Sequence, residues 1–235
     1  MKRIGVLYPS AGVTDRELWK MVPEEISLHF TRIPLEKPTT EEYAKMADFV
    51  QNNLKLLTDA KVDIIAFCCT AGSLVGGREY DRMIIDRINQ ATGLPATTTS
   101  TAIVSALGFL NIKRFSIVSP YSVEFNEIEK SFFENSGFEV VSHRGLGLSN
   151  ILQQYQTDPH RWYDLVKEVQ SDDCDAYLLS CGGIRVVDII EPLEAELSKS
   201  VLASNQVLIW HCLKKMDMLH LVNGPGTLMA TGATG

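Results

Sequence analysis

"DIIAFCCTAGS", residues 63–73, is a short apolar run that stops at two cysteines and passes into threonine and small residues. A run of this length bounded by turn formers reads as a strand covered on both faces. "DAYLLSCGGI", residues 175–184, states the same pattern again, and Asp63 precedes Cys69 by six positions just as Asp175 precedes Cys181. Further upstream, "KRIGVLYP" at 2–9 is echoed by "KRFSIVSP" at 113–120. Two halves of one design are therefore expected, and in each a cysteine sits at the carboxyl end of a buried strand, where open α/β sheets bind ligands.

The elements between these strands fit that reading. After "RIGVLYP" comes the strand "ISLHFTRIPL". The helix "TTEEYAKMADFVQNNLKLLTDA" then opens with Thr39 and Glu42 at capping-box spacing. Tyr43, Met46, Ala47, Val50, Leu54 and Leu57 fall on one face of it. In the second half a helix carrying Phe125, Ile128 and Phe132 is expected to end near Gly137, followed by the strand "FEVVSH". Asp158 and Pro159 start the helix "PHRWYDLVKEVQS". The alternation predicts an α/β fold of two pseudo-symmetric lobes, each a mostly parallel sheet flanked by helices, with the active site in the cleft between them. Residues 1–110 form the first lobe, whose last segment is free to exchange with the other, and 111–220 form the second. The Gly-rich stretch 221–235 is expected to be a mobile tail. The chain is expected to cross between lobes around "ATGLPATTTSTAIVSALGFL".

Composition narrows the function classes. The 235 residues are 45% hydrophobic and 22% charged, with a net charge of −7 and basic residues scattered along the chain, so nucleic acid is not an expected partner. No apolar run reaches the ~20 residues needed to span a bilayer. The start "MKRIGVLYPS" enters a short apolar run at once, and the expectation is a chain neither exported nor membrane-bound. Five cysteines, Cys68, Cys69, Cys174, Cys181 and Cys212, fit reduced thiols in the cytoplasm better than a disulfide framework. Cys68, Cys174 and Cys212 read as small buried hydrophobes. The histidines show no zinc-ligand spacing, and neither G-x-G-x-x-G nor a Walker loop follows the first strand, so no metal or cofactor is expected.

Cys69 and Cys181 remain. If the lobes are related by a two-fold axis, these thiols flank one bound molecule. Opposed acid and base groups suit a reaction that attacks or deprotonates a carbon on one side and protonates on the other. A free thiol is mostly protonated at neutral pH, so the site must stabilise one thiolate. Small residues follow each cysteine, in "CTAG" and "CGGI", where backbone N–H groups can face an anion, and Thr70 adds a hydroxyl.

The first-lobe cysteine, "LLSCGG", "ATGLPATTTSTA" and "SPYSVEFN" together resemble the cofactor-independent aspartate/glutamate racemase superfamily, in its branch of maleate cis-trans isomerases and arylmalonate decarboxylases. The likeness runs over nearly the whole chain except the tail. It implies that Cys181 is the proton donor to the intermediate. It also implies that Cys69 stands where the decarboxylases have glycine and the isomerases have a second, nucleophilic cysteine. Thr70, Tyr121 and the backbone of Gly182 match carboxylate and oxyanion donors, and Asn150 matches a carboxylate-binding asparagine of the isomerases. Ser10 and Ala71 fall in loops that contact substrate. Gly12 stands where the isomerases carry asparagine, and Ala71 where the decarboxylases carry serine.

The resemblance implies a cofactor-free isomerase or racemase for a small carboxylic acid, with room for a homo-oligomer. An arylmalonate-type decarboxylase using Cys181 alone is the alternative enzyme. A non-catalytic ligand-binding relative, or a redox-responsive thiol at the Cys68–Cys69 pair, is the alternative outside catalysis.

Overall fold

The computed structural model describes residues 1–232. In the first half the order is β1 (Lys2–Pro9), α1 (Asp15–Trp19), β2 (Ile26–Ile33), α2 (Thr40–Asp59) and β3 (Ile64–Phe67), then α3 (Thr70–Leu74), α4 (Gly77–Thr92), β4 (Ala96–Thr98) and α5 (Thr99–Phe109). The second half runs β5 (Arg114–Ser119), α6 (Val123–Glu134), β6 (Glu139–Gly145), α7 (Ile151–Gln156) and α8 (Pro159–Glu168). It continues with β7 (Ala176–Leu179), α9 (Ile190–Leu197), β8 (Ser200–Ala203), α10 (Ser204–Lys215) and α11 (Gly226–Gly232). Two separate parallel sheets result, ordered β2-β1-β3-β4 and β6-β5-β7-β8.

The duplicated aspartates do the same job in both halves. Asp63 accepts the Arg3 backbone N–H at 2.8 Å, and Asp175 accepts those of Lys113 and Arg114 at 2.9 Å, so each carboxylate satisfies the entry of the central strand of its sheet. The Thr39 hydroxyl accepts from the Glu42 N–H as the capping box predicts, and the six apolar residues assigned to the inner face of α2 are all buried. Gly137 adopts φ +90° in the turn after α6, a conformation that costs glycine little.

The halves are joined along α5 and α10, which pack on each other; α10 also reaches β3 and β4 of the first sheet. Every residue of α10 from Ser204 to Leu213 is buried, so this helix has no polar face to offer water. Helix α1, which also packs on α10, clasps the second half as well. The Glu17 carboxylate accepts the N–H groups of Val186 and Val187 at 2.9 Å, and Lys20 bridges Glu17 and Asp188.

The C-terminal stretch departs from the sequence expectation of a mobile tail. Residues 226–232 form α11, which buries Leu228 and Met229 against β8 and α9. Glu194 holds its start by accepting the N–H and hydroxyl of Thr227 at 2.7 and 3.0 Å. The glycines that suggested disorder serve close packing: a Cβ on Gly226 would lie 2.7 Å from Ile190, and one on Gly232 would lie 2.9 Å from the Trp210 indole nitrogen. Residues 233–235, which complete that stretch, lie outside the described residues.

Candidate active site

In each sheet the chain leaves the central pair of strands in opposite directions, β1 to β2 on one side and β3 to β4 on the other, with β5 and β7 repeating the arrangement. Such a reversal opens a crevice at the carboxyl ends of the two strands. Both crevices contribute to one cavity. The first half supplies Tyr8, Pro9, Gly12, Leu35, Tyr43, Cys68, Cys69, Thr70 and Ala71, and the second supplies Tyr121, Ile151, Gln154, Cys181, Gly182 and Gly183.

Cys69 and Cys181 therefore share a chamber, drawn from opposite halves of the chain. Cys69 is the N-cap of α3, and its sulfur accepts the Gly72 N–H at 3.3 Å. Cys181 follows β7, and its sulfur accepts the Gly183 N–H at 3.2 Å. Burial pushes the Cys69 thiol up to about 12 and the Cys181 thiol up to about 11, each offset by its backbone N–H. Both are therefore thiols at neutral pH.

Their surroundings nonetheless differ. The Gln154 Oε1 lies 3.6 Å from the Cys181 sulfur as an acceptor for its S–H, an arrangement that favours the protonated form. Among the described residues no comparable acceptor is bonded to Cys69, whose sulfur sits where the first N–H groups of a helix turn inward.

Cys181 also has φ +150°, a region populated almost wholly by glycine. Its N–H donates to Ser204 Oγ at 3.0 Å, and the carbonyl of the next residue, Gly182, accepts from Asn205 Nδ2 at 3.1 Å and from the Thr14 hydroxyl. Thr14 in turn holds the Tyr8 hydroxyl at 2.7 Å. The strained turn is thus fixed by α10 on one side and the first-half loop on the other.

Of the residues expected at the site, the structure brings together Cys69, Cys181, Thr70, Ala71, Tyr121 and Gly182. The Tyr121 hydroxyl interacts with the Cys181 sulfur and lowers its proton affinity. The structure does not bring Ser10 or Asn150 to the cavity. Ser10 is exposed and ties β1 to the segment after β2, accepting the Leu35 N–H at 3.0 Å. Asn150 is exposed and caps α7 through the Leu152 N–H at 2.8 Å. The α7 residues that reach the cavity are Ile151, next to Asn150, and Gln154, one turn further on.

Gln154 is 2% exposed; its side chain interacts with the Tyr43 hydroxyl, but its Nε2 makes no well-formed hydrogen bond. Buried amide donors are nearly always paired, so this one stands ready for a ligand acceptor. Gln154 and Tyr43 escaped sequence reading: one resembles any helix glutamine, and the other was legible only as part of the inner face of α2. The cavity wall holds no lysine, arginine or histidine. The polar groups lining it are neutral: the Gln154 amide, tyrosine hydroxyls and backbone N–H groups.

The family model for arylmalonate decarboxylase matches residues 4–229. Maleate isomerase of Pseudomonas putida is 28% identical over 97% of this chain and 97% of its own. Arylmalonate decarboxylase of Bordetella bronchiseptica is 24% identical over 89% of this chain and 88% of its own. Among solved structures, maleate isomerase of Pseudomonas putida S16 in complex with maleate superimposes with a TM-score of 0.93 at 25% identity, covering 97% of both chains.

Proposed function

Because the chain belongs to the arylmalonate decarboxylase family, we propose that within it this protein is an isomerase of a small unsaturated dicarboxylic acid, of the maleate cis-trans type. The observation that carries the reading is the second thiol: Cys69 lines the same cavity as Cys181. A decarboxylase needs one proton donor, whereas an isomerase working through addition and elimination uses a nucleophile and an acid together.

In the proposed cycle the Cys69 thiol first loses its proton to solvent, and its thiolate is held by the Gly72 N–H. The sulfur adds to one alkene carbon. The π electrons move to the other carbon as an enolate of the adjoining carboxylate, and the Cys181 S–H transfers its proton there. What was a double bond is now single and rotates. The Cys181 thiolate takes the proton back, the C–S bond breaks, and the double bond re-forms in the trans arrangement with the Cys69 thiolate restored. Tyr121 and the backbone N–H of Gly182 receive one carboxylate, and the Gln154 amide receives the other.

The five free cysteines suit a reducing compartment, and the cytoplasm is part of this proposal, as is a homo-oligomer. No helix among the described residues is long and apolar enough to cross a membrane.

The Cys69→Ala variant tests the reading against maleate and an α-aryl, α-methyl malonate. Isomerisation that falls by several orders of magnitude supports it. Malonate decarboxylation that survives the substitution assigns the protein to the alternative, with Cys181 as sole donor.

A further inference from the structure

Glu129, on α6, is a fully buried carboxyl that the cycle above does not use. Its Oε1 accepts the hydroxyl of Ser180, the residue that immediately precedes Cys181. Its Oε2 is buried and has no hydrogen-bond partner. An ionised carboxylate with an empty oxygen is costly to bury, and evolution ordinarily removes such a group or pairs it with a cation.

No cation is near. The charged groups on the elements packed against α6 are engaged elsewhere: His143 on β6 pairs with Glu127, Arg144 with Glu168, and Arg114 on β5 with Glu139. On α6 itself Lys130 pairs with Glu134, and α3 contributes no titratable side chain. The titratable groups that respond to Glu129 are Cys181 and Tyr121, both in the cavity and both raised by its charge. Burial places the Glu129 carboxyl at about 7, so its charge changes in the range where an enzyme works.

We propose that Glu129 is a positioning residue for the proton on Cys181: its ionised carboxylate, anchored through Ser180 one residue away, disfavours the thiolate and so keeps the proton on the sulfur. Two buried anions so placed repel each other, so the sulfur holds its proton more tightly while Glu129 is charged. Ser180 fixes the distance, since its hydroxyl anchors the carboxylate and its backbone continues directly into Cys181. The catalytic meaning rests on Cys181 being the proton donor, but the linkage itself does not depend on which substrate is turned over.

Site-resolved alkylation of Cys181 by iodoacetamide, followed by peptide mass spectrometry across pH 6–10 in the full chain without substrate, measures the linkage directly. Glu129→Gln, which keeps the hydrogen bond with Ser180 and removes the charge, is expected to alkylate at Cys181 about tenfold faster at pH 8. Glu129→Asp is expected to restore the wild-type dependence on pH. Should Glu129→Gln fail to fold, Ser180→Ala decides: losing the hydroxyl disfavours the ionised carboxylate, so Cys181 is again expected to react faster near neutral pH. A Cys181 alkylation profile that is identical in the wild type and the folded variant overturns the proposal. This readout needs no turnover, so it fails or succeeds independently of the isomerase reading.

Discussion

Thr70 Oγ1 donates to Ser204 Oγ at 2.9 Å, and the same oxygen accepts the Cys181 backbone N–H at 3.0 Å. One buried hydroxyl at the start of α10 therefore ties the residue after the first cysteine to the second cysteine itself. The spacing of the two thiols is set by this contact between halves as much as by either sheet. Ser204→Ala leaves the Cys181 N–H and the Thr70 hydroxyl unpaired in a dry site, a loss of about 1–3 kcal/mol of stability. It also loosens the alignment of the two sulfurs, and turnover is expected to fall on the order of tenfold to a hundredfold. Denaturant unfolding and steady-state kinetics on one preparation check both halves of the prediction.

Cys181 holds a backbone conformation that side chains resist, so the usual ranking of small residues is expected to invert there. Cys181→Gly should be more stable than Cys181→Ala by about 1 kcal/mol, the strain relieved when the Cβ is removed. Thermal unfolding of the two inactive variants measures the difference.

Gln154 presents the buried amide donor on the second-half wall. If it receives a substrate carboxylate, Gln154→Leu removes a hydrogen bond to a charged group worth about 1.5–3 kcal/mol, and KM for the dicarboxylate is expected to rise roughly tenfold to a hundredfold. A monocarboxylate analogue lacking the second acid should bind the two proteins alike.

His211 on α10 is buried and joined to Thr97 by a 2.8 Å hydrogen bond at Nδ1. Burial, then the charges of Lys215 and Lys214, lowers it from 6.5 to about 4. A depressed base binds its proton more readily in the unfolded chain between these two values. Its contribution is therefore present above pH 6.5 and is lost as pH falls toward 4, up to about 3 kcal/mol in all. His211→Gln should lose less stability than the wild type over that interval, as read from urea unfolding at pH 7 and pH 4.5.

Much of this was legible in the sequence, for identifiable reasons. The Asp63 and Asp175 echoes report a local constraint, the anchoring of a strand entry, and local constraints leave a mark at fixed spacing. The cap at Thr39 and the turn at Gly137 are of the same kind. Strand β4, of three residues, carries no periodicity long enough to read. The tail was misread because glycine content indicates flexibility unless tertiary contacts require the missing Cβ, as they do at Gly226 and Gly232.

In the cavity, the residues next to the cysteines were placed by the strand ends. Gln154 and Tyr43 come from helices whose approach is fixed only by packing. The resemblance pointed to Asn150, whose exposed side chain caps the very helix that brings Gln154 inward.

The account stands on the thiols acting from the two halves on one unsaturated acid, with the carbon–sulfur bond formed at Cys69. Peptide mapping of the Cys181→Ala variant after incubation with maleate tests this most directly. With the proton donor removed, the adduct is expected to accumulate after slow protonation by water, adding the mass of one maleic acid to the peptide carrying Cys69. Unmodified Cys69 in that variant, together with full isomerisation by Cys69→Ala, would contradict it.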